Sequence, residues 1–204
     1  MRRLRQAETP DVGAMTDAAV IARSVREPET FAVIFDRHAP HIHRYLARRL
    51  GASAADDLVA ETFLAAFRRR ERFDTDRPNA RPWLYGIATN VVAQQRRTEE
   101  REYRLRQAYA PETPEASPAD RVATAVTARS LRRQLLDALA VLAEGDRDVL
   151  LLVAWEDLSY DEVATALAIP VGTVRSRLHR ARRLLRERLD GESSDTIEEV
   201  VSNG

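Results

Sequence analysis

The chain has 204 residues, 44% of them hydrophobic and 31% charged, with only 7 glycines, a balance that suits one or two small helix-rich domains and disfavours a disordered chain. It holds no cysteine, so disulfides, thiolate catalysis and cysteine-ligated zinc are excluded within it, and no run of about 18 apolar residues, so no membrane span is expected. Its 32 basic and 32 acidic residues cancel, which argues weakly against a nucleic-acid partner until the distribution along the chain is read.

Residues 1–30 are polar and weakly patterned, and read as an N-terminal extension, disordered in part. Met1-Arg2-Arg3-Leu4-Arg5 has no apolar stretch behind it, so it is no secretory signal, and a cytoplasmic protein is expected. The first convincing helix begins near Phe31, with Ile34, Phe35, His38, Ile42, Tyr45 and Leu46 at three- and four-residue steps. Pro40 bends this stretch or marks a helix start. A second helix from about Ala54 to Arg70 puts Leu58, Val59, Thr62, Phe63, Ala66 and Phe67 on one face. Arg72 to Asn79 is a loop by composition. A third helix opens at Pro82, which suits a first helical turn, and runs through Trp83, Leu84, Ile87, Ala88, Val91 and Val92 to about Arg97.

Pro111, Pro114 and Pro118 stand among acidic and small residues, so 99–130 reads as an acidic, proline-rich linker. A second helical block follows from about Val122. Ser159 with Glu162 three positions on forms a capping box that starts a helix at Tyr160. Ala168-Ile169-Pro170 breaks it, and Val171-Gly172-Thr173 opens another helix with Val174, Leu178, Ala181 and Leu185 as its buried stripe. Between Val171 and Leu189 the basic residues are seven arginines, and the only acid is Glu187. A short helix, a tight turn and a basic second helix make a helix-turn-helix. In that motif the second helix enters the major groove. Arg175, Ser176, Arg177, His179 and Arg180 lie off the stripe and are candidates for bases or phosphates. Thr173 stands where a helix N-terminus holds phosphate. Every basic residue apart from the histidines is arginine, in keeping with a GC-rich genome, so an arginine here is weaker evidence for bidentate recognition than usual.

A helix-turn-helix alone does not define function. The third helix adds Trp83, Tyr85, Asn90, Gln94, Gln95, Arg96 and Arg97, a mixture suited to stacking on unpaired bases and gripping a single strand; for Trp83 core burial is the expected role. Together with Asp56-Asp57-Leu58-Val59-Ala60-Glu61-Thr62-Phe63, Pro82 to Asn90 and Gly172 to Ala181, these segments resemble the extracytoplasmic-function group of bacterial sigma factors, over about Phe31 to Leu189. The resemblance implies an all-α fold of two small helical domains joined by a flexible linker. Sigma region 2, at 31–98, would dock on the polymerase clamp and open the −10 element. Sigma region 4, at 131–190, would read the −35 element and contact the flap, with an acidic tail at 191–204. It implies polymerase contacts at Asp56, Asp57, Glu61 and Phe63. It implies −10 contacts at Phe73, Asn79, Trp83, Tyr85, Asn90, Gln94 and Arg97. It implies −35 contacts at Thr173, Arg175, Ser176, Arg177, His179, Arg180 and Arg183. The partners implied are core polymerase, promoter DNA and an anti-sigma protein, with no cofactor, no metal and no catalytic residue. The family commonly has glutamine at Ala60 and proline at Ala143; the second departure is expected only to extend a helix.

His38, His41 and His43 lie close together, but Pro40 and their spacing oppose a shared metal. Asp57 and Glu61, four apart on one exposed face, suit a protein-binding surface or plain solvation better than catalysis. The competing readings are a conventional helix-turn-helix regulator with a sensing or dimerising domain, and a nucleic-acid enzyme, which lacks a catalytic constellation. Translation starting at Met15 is an alternative to a start at Met1.

Overall fold

The computed structural model describes residues 14–109 and 137–202, with side chains over 14–105 and 137–188. Every regular element among them is helical. They divide into two compact units, the first taking the described residues up to Arg97 together with 165–168 and the second the rest.

The first unit starts earlier than its apolar periodicity indicates. Helix α1, Asp17–Ser24, is capped by Thr16, whose Oγ1 accepts from the Ala19 N–H at 3.3 Å. It buries Ala18, Val20 and Ile21. Residues 17–24 therefore belong to the core of the domain rather than to an extension. An eight-residue helix spans two turns, too few for a 3.6-residue period to stand out. Residues 1–13 lie outside the described residues.

After a 3₁₀ turn at Pro28–Phe31, helix α2 runs over Ala32–Leu50. Pro40 lies inside it and neither starts nor ends it. A proline within a helix costs about 3 kcal/mol, and buried Ile34, His38, Ile42, Tyr45 and Leu46 anchor the helix on both sides of it. Each fully buried aliphatic side chain contributes about 1.5–3 kcal/mol, so the packing outweighs the break. Gly51, at φ +91°, ends α2 with its N–H on the Ala47 carbonyl at 3.0 Å. A side chain would be strained at that φ. Helix α3, Ala52–Arg69, then returns along α2. Helix α4, Arg81–Tyr109, opens one residue before Pro82 and carries the helix eleven residues into the stretch read as linker. Residues 110–136 lie outside the described residues.

Asp17 ties three of these elements together. Its carboxylate accepts from Arg37 Nη1 at 2.9 Å, from His38 Nε2 at 2.8 Å and from the Ala80 N–H at 3.0 Å. Burial pushes its pKa up, but the bonds from His38, Ala80 and Arg37 outweigh burial and hold it at about 2, against an ordinary 3.8. A carboxyl depressed on folding contributes stability that is complete above its unfolded pKa and lost as pH falls through its folded one. The first unit is therefore expected to lose stability between about pH 4 and pH 2 through this residue. Asp17→Asn should be less stable than the parent at pH 7, with the gap narrowing toward pH 2; urea titrations at both pH values read this directly.

The second unit is held by an arginine staple. Residues 137–140 are helical and turn at Val141–Leu142. Arg147 donates to the carbonyls of Leu139, Ala140 and Leu142 at 2.8–2.9 Å, satisfying groups that a helix end leaves without partners. Helix α5, Glu144–Ala154, has Ala143 as its N-cap. Ala143 has φ −55° and ψ 144°, so it stands outside the helix instead of extending it, in a backbone shape proline would accept. Helix α6, Tyr160–Leu167, opens on the expected capping box: the Ser159 N–H donates to Glu162 Oε2 at 2.8 Å, and the Glu162 N–H to Ser159 Oγ at 3.3 Å. It closes at Ala168, φ +51°, and the next N–H, of Ile169, reaches the Ala164 carbonyl at 3.0 Å. The Pro170 carbonyl takes the N–H groups of Thr173 and Val174 and launches helix α7, Val171–Ser202. Val174, Leu178 and Ala181 are buried as the periodicity indicates, while Leu185 is half-buried. The helix continues through most of the acidic tail.

Candidate functional site

Three exposed surfaces carry chemistry, and the structure sorts the expected site residues among them. The first is the basic side of α7. Thr173 is half-buried at its first turn, and Arg175, Ser176, His179 and Arg183 are exposed. Ser176 Oγ donates to the Thr173 carbonyl at 3.1 Å, and Arg183 lies 3.7 Å from Glu187. Arg175, His179, Arg182 and Arg186 follow one another at intervals of four, three and four, which puts all four on one helix face. With Leu178 and Tyr160 of α6 they line a cavity of about 250 Å³. Arg182 and Arg186 were not among the expected contacts, although the same spacing from Arg175 points to them.

Arg177 and Arg180 are otherwise engaged. Arg180 makes a two-pronged contact with buried Asp146 at the start of α5, Nε–Oδ2 2.6 Å and Nη2–Oδ1 2.9 Å. This hydrogen-bonded pairing, with the carboxylate's charge, pushes the guanidinium pKa further up. Arg177 folds over Gly145, where a Cβ would meet its guanidinium at 2.5 Å. The pair therefore braces α7 on the first turn of α5, where negative charge also suits the helix dipole. The expected base contact by Arg180 gives way to this brace.

The second surface is the outer side of α3. Asp56, Asp57, Ala60 and Glu61 are exposed, and Leu64, one turn beyond Glu61, is 48% exposed. Asp56 meets His43 at 3.1 Å. Phe63 departs from the expectation. It is buried, edge-on to Phe35 with centroids 4.9 Å apart, and offers a partner no surface. Phe35 does, at 43% exposed. The neighbouring histidines serve different partners: His38 meets Asp17 and His41 meets Arg44.

The third surface joins the loop before α4 to one face of that helix. Trp83, Asn90, Gln94 and Arg97 share a face by their spacing; Asn90, Gln94 and Arg97 are exposed and Trp83 is half-buried. Trp83 packs edge-on against Phe73, 5.1 Å between centroids, which fastens the loop to this face. Phe73 is itself buried. Asn79 is exposed and its Oδ1 accepts the Arg81 N–H at 2.9 Å, so it caps α4. Asp74 shapes the loop by accepting from the Asp76 N–H and from Arg77 Nε. Tyr85 is fully buried, edge-on to Tyr45 at 5.4 Å, and reaches no surface strand. Its position fits the buried series 85, 88 and 92, a signal present in the periodicity.

The Sigma-70 region 2 family model matches residues 34–102, and the Sigma-70 region 4 model matches residues 132–185. RNA polymerase sigma factor CarQ of Myxococcus xanthus is 38% identical over 164 residues, covering 79% of this chain and 90% of that protein. ECF RNA polymerase sigma factor SigL of Mycobacterium tuberculosis is 36% identical over 171 residues, covering 83% and 94%. The structure of CnrH in complex with the cytosolic domain of CnrY superposes with TM-score 0.59 at 29% identity, covering 89% of this chain and 99% of that one. The sigma factor RpoE of Bartonella quintana, solved with the anti-sigma factor NepR, shares the fold with TM-score 0.58 at 24% identity, covering 78% and 96%.

Proposed function

The chain belongs to the extracytoplasmic-function group of the sigma-70 family, and from that premise we propose how its residues direct RNA polymerase to promoters. It is a transcription initiation factor and not an enzyme. The second unit reads the −35 element with α7, through Arg175, Ser176, His179, Arg182 and Arg183, while Thr173 at the helix start takes a phosphate. The first unit binds core polymerase through the acidic outer face of α3, with Asp57, Glu61 and exposed Leu64. The loop from Phe73 to Asn79, with Trp83, Asn90, Gln94 and Arg97, holds the unpaired −10 strand.

The observation that carries this reading is the set of three arginines with His179 along one face of α7, set behind a capped helix and a tight turn. Arginine pairs with guanine edges and with phosphates, and no acidic residue lines that cavity. The partners on this reading are core polymerase, promoter DNA and an anti-sigma protein; the related CnrH was solved bound to a second protein. No helix among the described residues is long and apolar enough to cross a membrane, in keeping with action in the cytoplasm.

Arg175→Ala combined with Arg182→Ala is expected to weaken holoenzyme binding to a −35-containing promoter by at least about tenfold, as two lost base or phosphate contacts would. The melting temperature should stay near the parent value. Arg180→Ala should act in the opposite pattern, lowering the melting temperature by leaving buried Asp146 without its partner. Promoter titrations and thermal scans of both variants separate the two roles. Unchanged promoter affinity in the double variant contradicts the assignment of α7.

A further inference from the structure

The short N-terminal helix is joined to the loop that precedes α4 by two hydrogen bonds, one to a side chain and one between backbones. Oδ2 of Asp17 accepts the Ala80 N–H at 3.0 Å, and the Ala18 N–H reaches the Pro78 carbonyl at 3.4 Å. The same carboxylate also accepts from Arg37 at Oδ1, 2.9 Å, and from His38 at Oδ2, 2.8 Å, both on α2. Asp17, His38 and Ala80 are all buried. A carboxylate taken out of water is costly unless it is fully hydrogen-bonded, and here one carboxylate meets donors from α2 and from the loop end. The loop's other end is fastened by Phe73 on Trp83. Between these two anchors, Thr75, Asp76, Arg77, Pro78 and Asn79 are exposed.

We propose that Asp17 is a positioning residue for promoter opening: by holding Ala80 and Pro78 through α1 it sets the shape of the 74–79 loop that receives the unpaired −10 strand. The proposal rests on the assignment of that loop to the −10 strand. Asp17 touches no DNA on this account. An exposed loop pinned at both ends presents its groups to an extruded base without first being ordered, so the opening step does not bear the conformational entropy of fixing it. Release of one end returns that cost to the opening step. Closed-complex formation, which uses α7 and the −35 element, does not draw on it.

The test uses the full-length chain reconstituted with core polymerase, comparing the parent with Asp17→Ala. Three readings are taken: closed-complex affinity at low temperature, permanganate reactivity of the −10 thymines, and transcription from a template already mismatched across the −10 region. Closed-complex affinity is expected to stay within about twofold, permanganate reactivity to fall about tenfold or more, and the pre-opened template to restore transcription to within about twofold, the tenfold step corresponding to about 1.4 kcal/mol at the opening step. Rescue by a pre-opened template is not expected of a merely unfolded protein. Full permanganate reactivity in a folded Asp17→Ala holoenzyme overturns the proposal, as does an equal loss on duplex and pre-opened templates in a protein with parental circular dichroism. If Asp17→Ala does not fold, Asp17→Asn decides by the same readings, since it keeps an oxygen for the Ala80 N–H but loses the carboxylate charge. An intermediate opening defect with rescue supports positioning, and parental opening contradicts it. Asn79→Ala and Thr75→Ala test the underlying assignment separately. If they open promoters normally, the loop is not the −10 receptor; if they are defective while Asp17→Ala is not, only the positioning role fails.

Discussion

Phe63→Ala is expected to destabilise the first unit by about 3–5 kcal/mol, the usual cost of removing a buried phenyl ring. The ring is only 5% exposed and meets Phe35 edge-on at 4.9 Å. That aromatic contact adds about 0.5–1.5 kcal/mol beyond burial. The cavity left would lie between α2 and α3, which pack along one another, under the acidic face of α3. Core-polymerase binding should fall with the folded fraction, so it should recover at low temperature, where more of the protein is folded. Phe63→Leu, which keeps most of the volume, should retain binding. Asp57→Arg with Glu61→Arg should behave differently: parental stability, and weakened polymerase binding at every temperature. A Phe63→Ala protein with parental melting temperature but lost binding would return Phe63 to the interface.

Arg147→Ala is expected to destabilise the second unit by about 2–4 kcal/mol, the loss of a charged donor from several backbone carbonyls. Its guanidinium makes three contacts of 2.8–2.9 Å, to Leu139, Ala140 and Leu142. Without it the carbonyls at the end of the 137–140 helix lose their side-chain cap, and buried Leu139 and Leu142 lose the group that fixes the turn between them. Lysine has one point charge instead of a planar fork, so Arg147→Lys should recover only part of the loss. Thermal unfolding of the full chain, followed by hydrogen exchange at Val149 to Leu152, measures it. Parental protection of those amides in Arg147→Ala would contradict the staple.

The helical architecture was legible from periodicity wherever a helix exceeded about three turns. Most of the apolar series of α2, α3 and α7 is buried where the spacing places it, with Phe35 exposed and Phe67 and Leu185 half-buried, and the capping box at Ser159 forms as expected. Three features escaped for physical reasons. Helix α1 is too short to show a period, and its polar ties to the fold, above all one carboxylate, reach residues 20, 21 and 63 positions away in the chain. Arg177 and Arg180 lie off the apolar stripe, as a DNA contact would, and only the position of Gly145 and Asp146 reveals that α5 claims them. The aromatic residues Phe63, Phe73 and Tyr85 were expected at interfaces by residue type and resemblance. For Phe63 and Tyr85 the helical spacing already pointed inward, and spacing is the better guide when the two conflict. The acidic surface was legible because Asp57 and Glu61 stand opposite that apolar series.

On this reading one chain both binds core polymerase and selects a promoter. Run-off transcription tests it most directly, with purified core polymerase and a template bearing a promoter selected by the reconstituted holoenzyme. The chain should yield a single promoter-specific transcript absent with core alone; Asp57→Arg/Glu61→Arg should reduce it by impairing polymerase binding, and Arg175→Ala/Arg182→Ala by impairing promoter binding. A chain that binds the same DNA without core polymerase, and gives no transcript when core is added, would be a conventional helix-turn-helix regulator and would contradict the account.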